Sequence, residues 1–294
     1  MSFNIIGLGE VLWDLLPSGR QLGGAPANFA WHAHALGARA QIVSRVGNDD
    51  LGTEIRQRLQ RMELPDTLVQ TDPSHPTGTV TVALAANGVP EYIIHESVAW
   101  DHIASTPEAF GAVRSADAIC FGSLAQRTRS SRESIQTLVS AAPSNALRIF
   151  DINLRQHYFD RETIETSLKL ANVLKLNDDE LPILTKLSKV DGAVKSQIEF
   201  IAKRFDLGVI ALTRGGNGSL LYHEGRWSEH GSINVAVADT IGAGDSFTAA
   251  LCLGLLRGLD LDRINAAANQ IAAFVCSVSG ATPELPAHLR ELLR

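Results

Sequence analysis

"RIFDINLRQHYFDRETIETSLKLANVLKLN" (residues 148–177) decides the fold. A short apolar run, "RIFDIN" (148–153), reads as a buried strand. An amphipathic stretch of helical length follows (162–171), and "NVLKLN" (172–177) is apolar and strand-like again. Strand, helix, strand in that order implies a parallel βαβ unit.

The same alternation runs along most of the chain. Strand-like runs recur at "FNIIGLG" (3–9), "QIVSRVG" (41–47), "DAICFGS" (117–123) and "GVIALT" (208–213). Helical stretches are read at 26–37, 51–62, 130–141 and 192–205, and two long apolar helices near 244–257 and 261–278. The expected fold is α/β, with a mostly parallel central sheet and helices on both faces.

Two segments break the rhythm. "TGTVTVALAANGVPEYIIHE" (77–96) alternates at period two and turns at "NG" (87–88), which is a hairpin signal. "VLWDLLPSGRQLGG" (11–24) is strand-like but interrupted by Pro and Gly. Together they predict a small antiparallel β lid at 11–24 and 77–96, projecting from a main domain of 1–10, 25–76 and 97–294. "SLLYHEGRWSEHGSINVAVAD" (219–239) is read as a further β-rich piece.

With 294 residues, 45% of them hydrophobic, the chain can bury a large core. A formal net charge of −6 with no basic run argues against nucleic acid as a partner. No apolar run approaches the roughly 18–20 residues of a membrane span, and no signal peptide is read at the N-terminus, so no membrane partner and a cytoplasmic location are expected. The cysteines at 120, 252 and 276 form no CxxC pair, which speaks against a disulfide framework or a zinc site. No P-loop sequence occurs, and "GLGEVL" (7–12) lacks the third glycine of a dinucleotide fingerprint.

The chemistry concentrates at "ADTIGAGDSFTAAL" (238–251). Gly242, Ala243 and Gly244 lead into Asp245, and an apolar helix follows. The first N–H groups of a helix have no partners within it, and the helix dipole makes that end positive. A bare backbone there forms an anion hole. Asp245 alone could be a capping residue, but a cap needs no preceding G-x-G.

Other polar groups fall at strand ends. They are Asp14 after the first strand, "GGAPAN" (23–28) with Gly24 and Asn28, and "DINLR" with Asp151, Asn153 and Arg155. "NDDE" (177–180) adds Asn177 and Glu180, and "TRGGNG" (213–218) adds Thr213, Gly215, Gly216 and Gly218. Each has a plain reading as a turn, cap or surface charge. In open α/β sheets, however, ligands bind at the carboxyl ends of the strands, so these groups are expected on one edge.

"GGAPANFAWHAHALGA" and "DTIGAGDSF" resemble the two signatures of the PfkB, or ribokinase-like, carbohydrate kinases. "NDDE" is similar to that family's N-x-x-E element, and "TRGGNG" to its nucleotide loop. The likeness runs in order from about residue 5 to residue 285. "GEVLWDLLP", "FGSLAQR" (121–127) and "DINLR" are most similar to bacterial fructokinases.

The resemblance implies ATP- and Mg2+-dependent phosphoryl transfer to a sugar hydroxymethyl group, with D-fructose giving fructose 6-phosphate. Asp245 is then the catalytic base, and Gly242, Ala243 and Gly244 the anion hole, with Arg155 meeting the transferred phosphate or the sugar. Asp14, Gly24, Asn28, Gln126, Arg127 and Asn153 would bind the sugar. Asn177, Thr213, Gly215, Gly216, Gly218 and Asn269 would hold the nucleotide. Glu180 would face the magnesium shell through water. Asp239 matches a residue at a monovalent-cation site in some members, which leaves K+ as an open requirement. The lid often supplies a homodimer contact in the family. Two alternatives stand beside this reading. One is a kinase of the same family acting on ribose, 2-keto-3-deoxygluconate, a nucleoside or a sugar phosphate. The other is a non-catalytic homologue that binds sugar or nucleotide.

Overall fold

The computed structural model describes residues 2–16, 19–84 and 90–294. β1 (Asn4–Leu8) is followed by β2 (Leu12–Leu16) and β3 (Gly19–Gly23), and then by α1 (Ala25–Ala35). β4 (Arg39–Gly47), α2 (Asp50–Arg61) and β5 (Val69–Asp72) come next, before β6 (Thr79–Leu84) and β7 (Pro90–Ile94). α3 (Pro107–Arg114), β8 (Ala118–Phe121), α4 (Arg129–Ser140), β9 (Leu147–Asp151), α5 (Arg161–Leu170) and β10 (Val173–Asn177) continue the alternation. α6 (Glu180–Ser188) and α7 (Val194–Phe205) precede β11 (Val209–Thr213), β12 (Ser219–His223) and β13 (Arg226–His230). α8 (Ala243–Leu256), α9 (Leu261–Cys276) and α10 (Ala287–Glu291) complete the chain.

Nine strands form one sheet in the order β13-β12-β11-β10-β9-β8-β1-β4-β5. From β5 to β11 every pairing is parallel, and β12 and β13 add antiparallel strands at one edge. The chain first builds outward from β1 to β4 and β5, then returns to β8 on the other side. The order therefore reverses at β1, where α/β sheets open a crevice beyond their strand ends.

The strands are apolar almost throughout because both faces are covered. Successive side chains point to opposite faces. Ile5, Cys120, Ile149 and Val173 join a core with α1, α2, α8, α9 and α10. Their neighbours Ile6, Ile119, Phe150 and Leu174 join a second core with α3 to α7. The small sheet has the order β3-β2-β6-β7. Its two antiparallel pairs are joined along β2 and β6, which run parallel. The "NG" turn read at 87–88 lies outside the described residues. Among the described residues, no helix is long and apolar enough to cross a membrane.

The segment read as β-rich at 219–239 is strand only as far as His230. Residues 231–242 run on without strand pairing into the head of α8. Their apolar residues serve a cleft rather than a sheet.

Candidate active site

A cleft of about 810 Å3 opens along the carboxyl ends of the strands. α8 enters it head first. Its N-cap, Gly242, has φ 78°, and no side chain caps this end. A Cβ on Gly242 would stand 2.3 Å from the Ala281 carbonyl oxygen, so both the backbone angle and the space require glycine. From Ser246 to Gly254 every residue of α8 is buried, so its positive end is the part that meets solvent in the cleft.

Asp245 sits in that first turn. Its Oδ2 accepts a hydrogen bond from Asn28 Nδ2 at 2.9 Å. Burial, and then the Asp151 charge, push its carboxyl up to about 6, while Asn28, Lys175 and Arg155 pull it down. Asp245 is therefore mostly ionised at neutral pH, yet far closer to a useful proton acceptor than an exposed aspartate.

Behind it lies a buried pair. Lys175 Nζ donates to Asp151 Oδ1 at 3.1 Å, and Thr248 Oγ1 donates to Asp151 Oδ2 at 2.9 Å. Burial alone would lower the Lys175 pKa, but Asp151, Glu180 and Asp245 together raise it. Lys175 lines the cleft, and its Nζ would lie only 3.0 Å from a Cβ at Gly244. The sequence reading passed over Lys175. Its one signal was a charge inside an otherwise apolar strand. Glu10 was also missed. It is 2% exposed, lines the cleft and is pushed up to about 7, chiefly by burial.

Asn177 and Glu180 lock each other. Asn177 Oδ1 accepts from Glu180 N at 2.8 Å, and Glu180 Oε2 accepts from Asn177 N at 2.8 Å. Glu180 Oε1 accepts from Leu154 N at 2.9 Å. Each carboxylate oxygen thus has one amide donor and keeps lone pairs for water. Among the described residues, no cluster of three or more His, Cys, Asp or Glu could cage a metal. The open lone pairs of Glu180 are of the kind that could meet the water shell of a magnesium ion.

Asp14, on β2, lines the cleft and is raised to about 6 by burial and by the Asp239 charge. Gly24 has φ 109°, and a Cβ there would fall 2.4 Å from the Glu10 carbonyl oxygen. Asn153, Arg155, Thr213, Gly215, Gly216, Gly218 and Asn269 also line the cleft. Asn269 Nδ2 is committed to Ser219 Oγ and to Asn265. Asp239 uses its carboxylate as a staple, accepting from Ile241 N at 3.0 Å and Gly280 N at 3.1 Å. Ile233, Val235 and Val237 face Ala272 and Ala273 across the cleft's far end, and Val237 is 66% exposed. An apolar slot of this kind suits a planar base.

Two expected sugar contacts lie elsewhere. Gln126 is fully buried, with Nε2 donating to Gly122 O at 2.8 Å and Ser167 Oγ at 3.0 Å, and Oε1 accepting from Gln136 at 3.1 Å. Arg127 pairs with Asp101 at 2.7 Å and stacks over Trp100. Both line a separate hollow of about 480 Å3 with Glu96, His102 and Tyr158, not the cleft. The short turn at Leu124–Gln126 carries them past the crevice.

A cleft at the switch point of a ribokinase-like α/β fold, with a half-buried acid at a bare helix head, is the arrangement a phosphoryl-transferring class of protein needs. Residues 19–288 match the pfkB family carbohydrate kinase profile, and the chain belongs to that family and is a sugar kinase. It is 28% identical to a fructokinase of Escherichia coli, over 97% of each chain. A structure of an uncharacterized sugar kinase from Pyrococcus horikoshii in complex with ATP superposes with a TM-score of 0.84 at 28% identity, covering 98% of this chain and 99% of that one. A fructokinase from Vibrio cholerae O395 in its fructose, ADP and calcium ion bound form gives 0.79 at 25% identity, covering 99% and 98%.

Proposed function

We propose that this sugar kinase uses ATP to phosphorylate the 6-hydroxyl of D-fructose, with Asp245 as general base. The observation that carries the reading is the Asp245 carboxylate. It is half-buried at the uncapped head of α8, held by Asn28, and flanked by the cations Lys175 and Arg155. Fructokinases among the relatives, one of them with fructose and ADP bound, support the acceptor.

In this reading the apolar slot at Val235, Val237 and Ala272 takes the base, and the glycines at 215, 216 and 218 let the phosphates approach the backbone. Amides at 243–245, together with Lys175 and Arg155, attract the phosphoryl group in transit. Asp245 orients the sugar hydroxyl in line and accepts its proton. Positioned base catalysis of this kind contributes about 10²- to 10⁴-fold. Magnesium, when bound, offsets phosphate charge, and Asn177 and Glu180 would meet its water shell. Asp14, Gly24, Asn28 and Asn153 would surround the sugar. The small sheet (β2, β3, β6, β7) would act as a lid that excludes water.

A phosphorylated acceptor fits less well. Arg20 is paired with Glu54 and Arg127 with Asp101, and neither lines the cleft, so neither is placed to meet a second phosphate there. The acceptor end is instead walled by Glu10, Asp14 and Asp245. The test is turnover of the purified chain with Mg-ATP against fructose, ribose, 2-keto-3-deoxygluconate, nucleosides and sugar phosphates, with and without K+. Fructose is expected to give the highest kcat/KM. A higher value for any other acceptor overturns the fructose assignment, and no turnover on any acceptor overturns the reading as a whole.

A further inference from the structure

Glu10 has no part in the reaction as just described. It stands just beyond β1, where the chain turns toward the small sheet. Its Oε1 accepts a hydrogen bond from Ala25 N at 3.2 Å, which fastens it to the first turn of α1. Its Oε2 is buried and has no partner. Asn28 belongs to the same turn and repeats the pattern. Its Nδ2 is committed to Asp245, and its Oδ1 is buried without a partner. Both residues line the cleft, at 2% and 3% exposure.

A buried polar atom left unpaired costs about 1–3 kcal/mol, and native structures hold few of them. Two such atoms, one on the first turn of α1 and one on a side chain fastened to that turn, both walling a cleft, mark a place where a ligand supplies the missing hydrogen bonds. Their chemistry is complementary. Burial above all, with the nearby Asp245 charge adding to it, pushes the Glu10 carboxyl up to about 7, against the amides of Glu10 and Ala25 and the Arg155 charge. Oε1 already receives the Ala25 N–H, so the proton belongs on Oε2, which becomes a donor. Asn28 Oδ1 can only accept. A donor and an acceptor in the wall of one cleft suit a hydroxyl, which both accepts and donates.

We propose that Glu10 is a specificity-determining residue that, with Asn28 Oδ1, reads one hydroxyl of an unphosphorylated sugar, other than the hydroxyl presented to Asp245. The proposal rests on the kinase reading above. It adds a selection rule. An acceptor lacking that hydroxyl leaves both atoms unpaired, and an acceptor with a phosphate there meets the Asp245 and Asp14 carboxylates.

The test compares wild type, Glu10→Ala, Glu10→Leu and Glu10→Gln on fructose and its mono-deoxy analogues at saturating Mg-ATP. For wild type, one analogue deoxygenated away from the reacting carbon should lose about 10- to 100-fold in kcat/KM, the loss expected for unpaired buried groups. Glu10→Ala should raise the fructose KM by a similar factor, leave the ATP KM unchanged and no longer discriminate against that analogue. Glu10→Leu fills the original volume and should behave alike if the smaller side chain fails to fold. Glu10→Gln keeps a donor and an acceptor and should stay within about 3-fold of wild type. A purely structural role would not abolish discrimination against a single analogue. Wild-type turnover with an unchanged fructose KM and unchanged discrimination in Glu10→Ala or Glu10→Leu overturns this proposal and leaves the kinase reading standing. Absence of turnover by wild type on every acceptor overturns both.

Discussion

Asn28 Nδ2 donates to Asp245 Oδ2 at 2.9 Å, joining residues 217 positions apart in the sequence. The bond ties the first turn of α1 to the first turn of α8. It favours the ionised form of Asp245 and uses one of its two carboxylate oxygens.

Asn28→Leu is expected to remove that support. The Asp245 pKa then rises, so the acidic limb of the kcat/KM profile should move to higher pH, and kcat should fall about 10-fold. A pH–rate series on both proteins checks the direction. An unmoved acidic limb would show that the bond does not tune the acid.

Asp245→Asn should lower kcat by about 10²- to 10⁴-fold while ATP affinity stays nearly intact. Calorimetric titration of ATP beside steady-state kinetics separates the two quantities. Wild-type turnover in this variant would refute the base assignment.

Lys175→Met strands the Asp151 carboxylate in the core, with side-chain exposures of only 9% and 7% in the original pair. Breaking a buried pair in this way costs about 3–5 kcal/mol. The double variant Lys175→Met, Asp151→Leu should recover much of that stability in urea, since no lone charge remains, yet stay catalytically impaired. Full activity in the double variant would remove Lys175 from the mechanism.

Glu10 makes stability depend on pH in a particular direction. Its folded pKa is raised from 4.5 to about 7, so the native chain holds the proton more tightly than the unfolded chain. The resulting stabilisation is complete below about pH 4.5, fades as pH climbs toward 7, and amounts to something on the order of 3 kcal/mol. Glu10→Gln cannot titrate. The difference between wild-type and variant urea midpoints, followed from pH 4.5 to 8, should therefore shrink in wild type's disfavour as pH rises. A constant difference would show that Glu10 is ionised in the native state throughout.

Gly242→Ala should cost about 1–3 kcal/mol and lower kcat, because alanine resists φ 78° and its Cβ would strike Ala281. Thermal midpoint and turnover, measured together, check this.

The central sheet was legible because both its faces are covered. "NVLKLN" and "GVIALT" are apolar without alternation, and such runs have few other uses. The polar strand ends were legible because parallel strands deliver their carboxyl ends to one edge. β5 went unread because "VQTD" is short and half polar, and its place is fixed by pairing with β4 rather than by local pattern. Gln126 and Arg127 were misplaced for a similar reason. They follow β8 as Arg155 follows β9, but a buried carboxylate at Asp101 claims Arg127 from a distant part of the chain. Glu10 and Lys175 were unmarked because burial, the property that gives them interest, is invisible until the layers are stacked.

The chain leaves the large sheet at Glu10 and comes back at Gly24, and there the two passes nearly touch. The four-stranded flap is rooted here and again where the chain enters β6 and leaves β7, and Glu10 and Gly24 stand at the first of these roots. A hexose in the proposed sugar site would thus touch both the root of the flap, at Glu10 and Gly24, and its first strand, at Asp14.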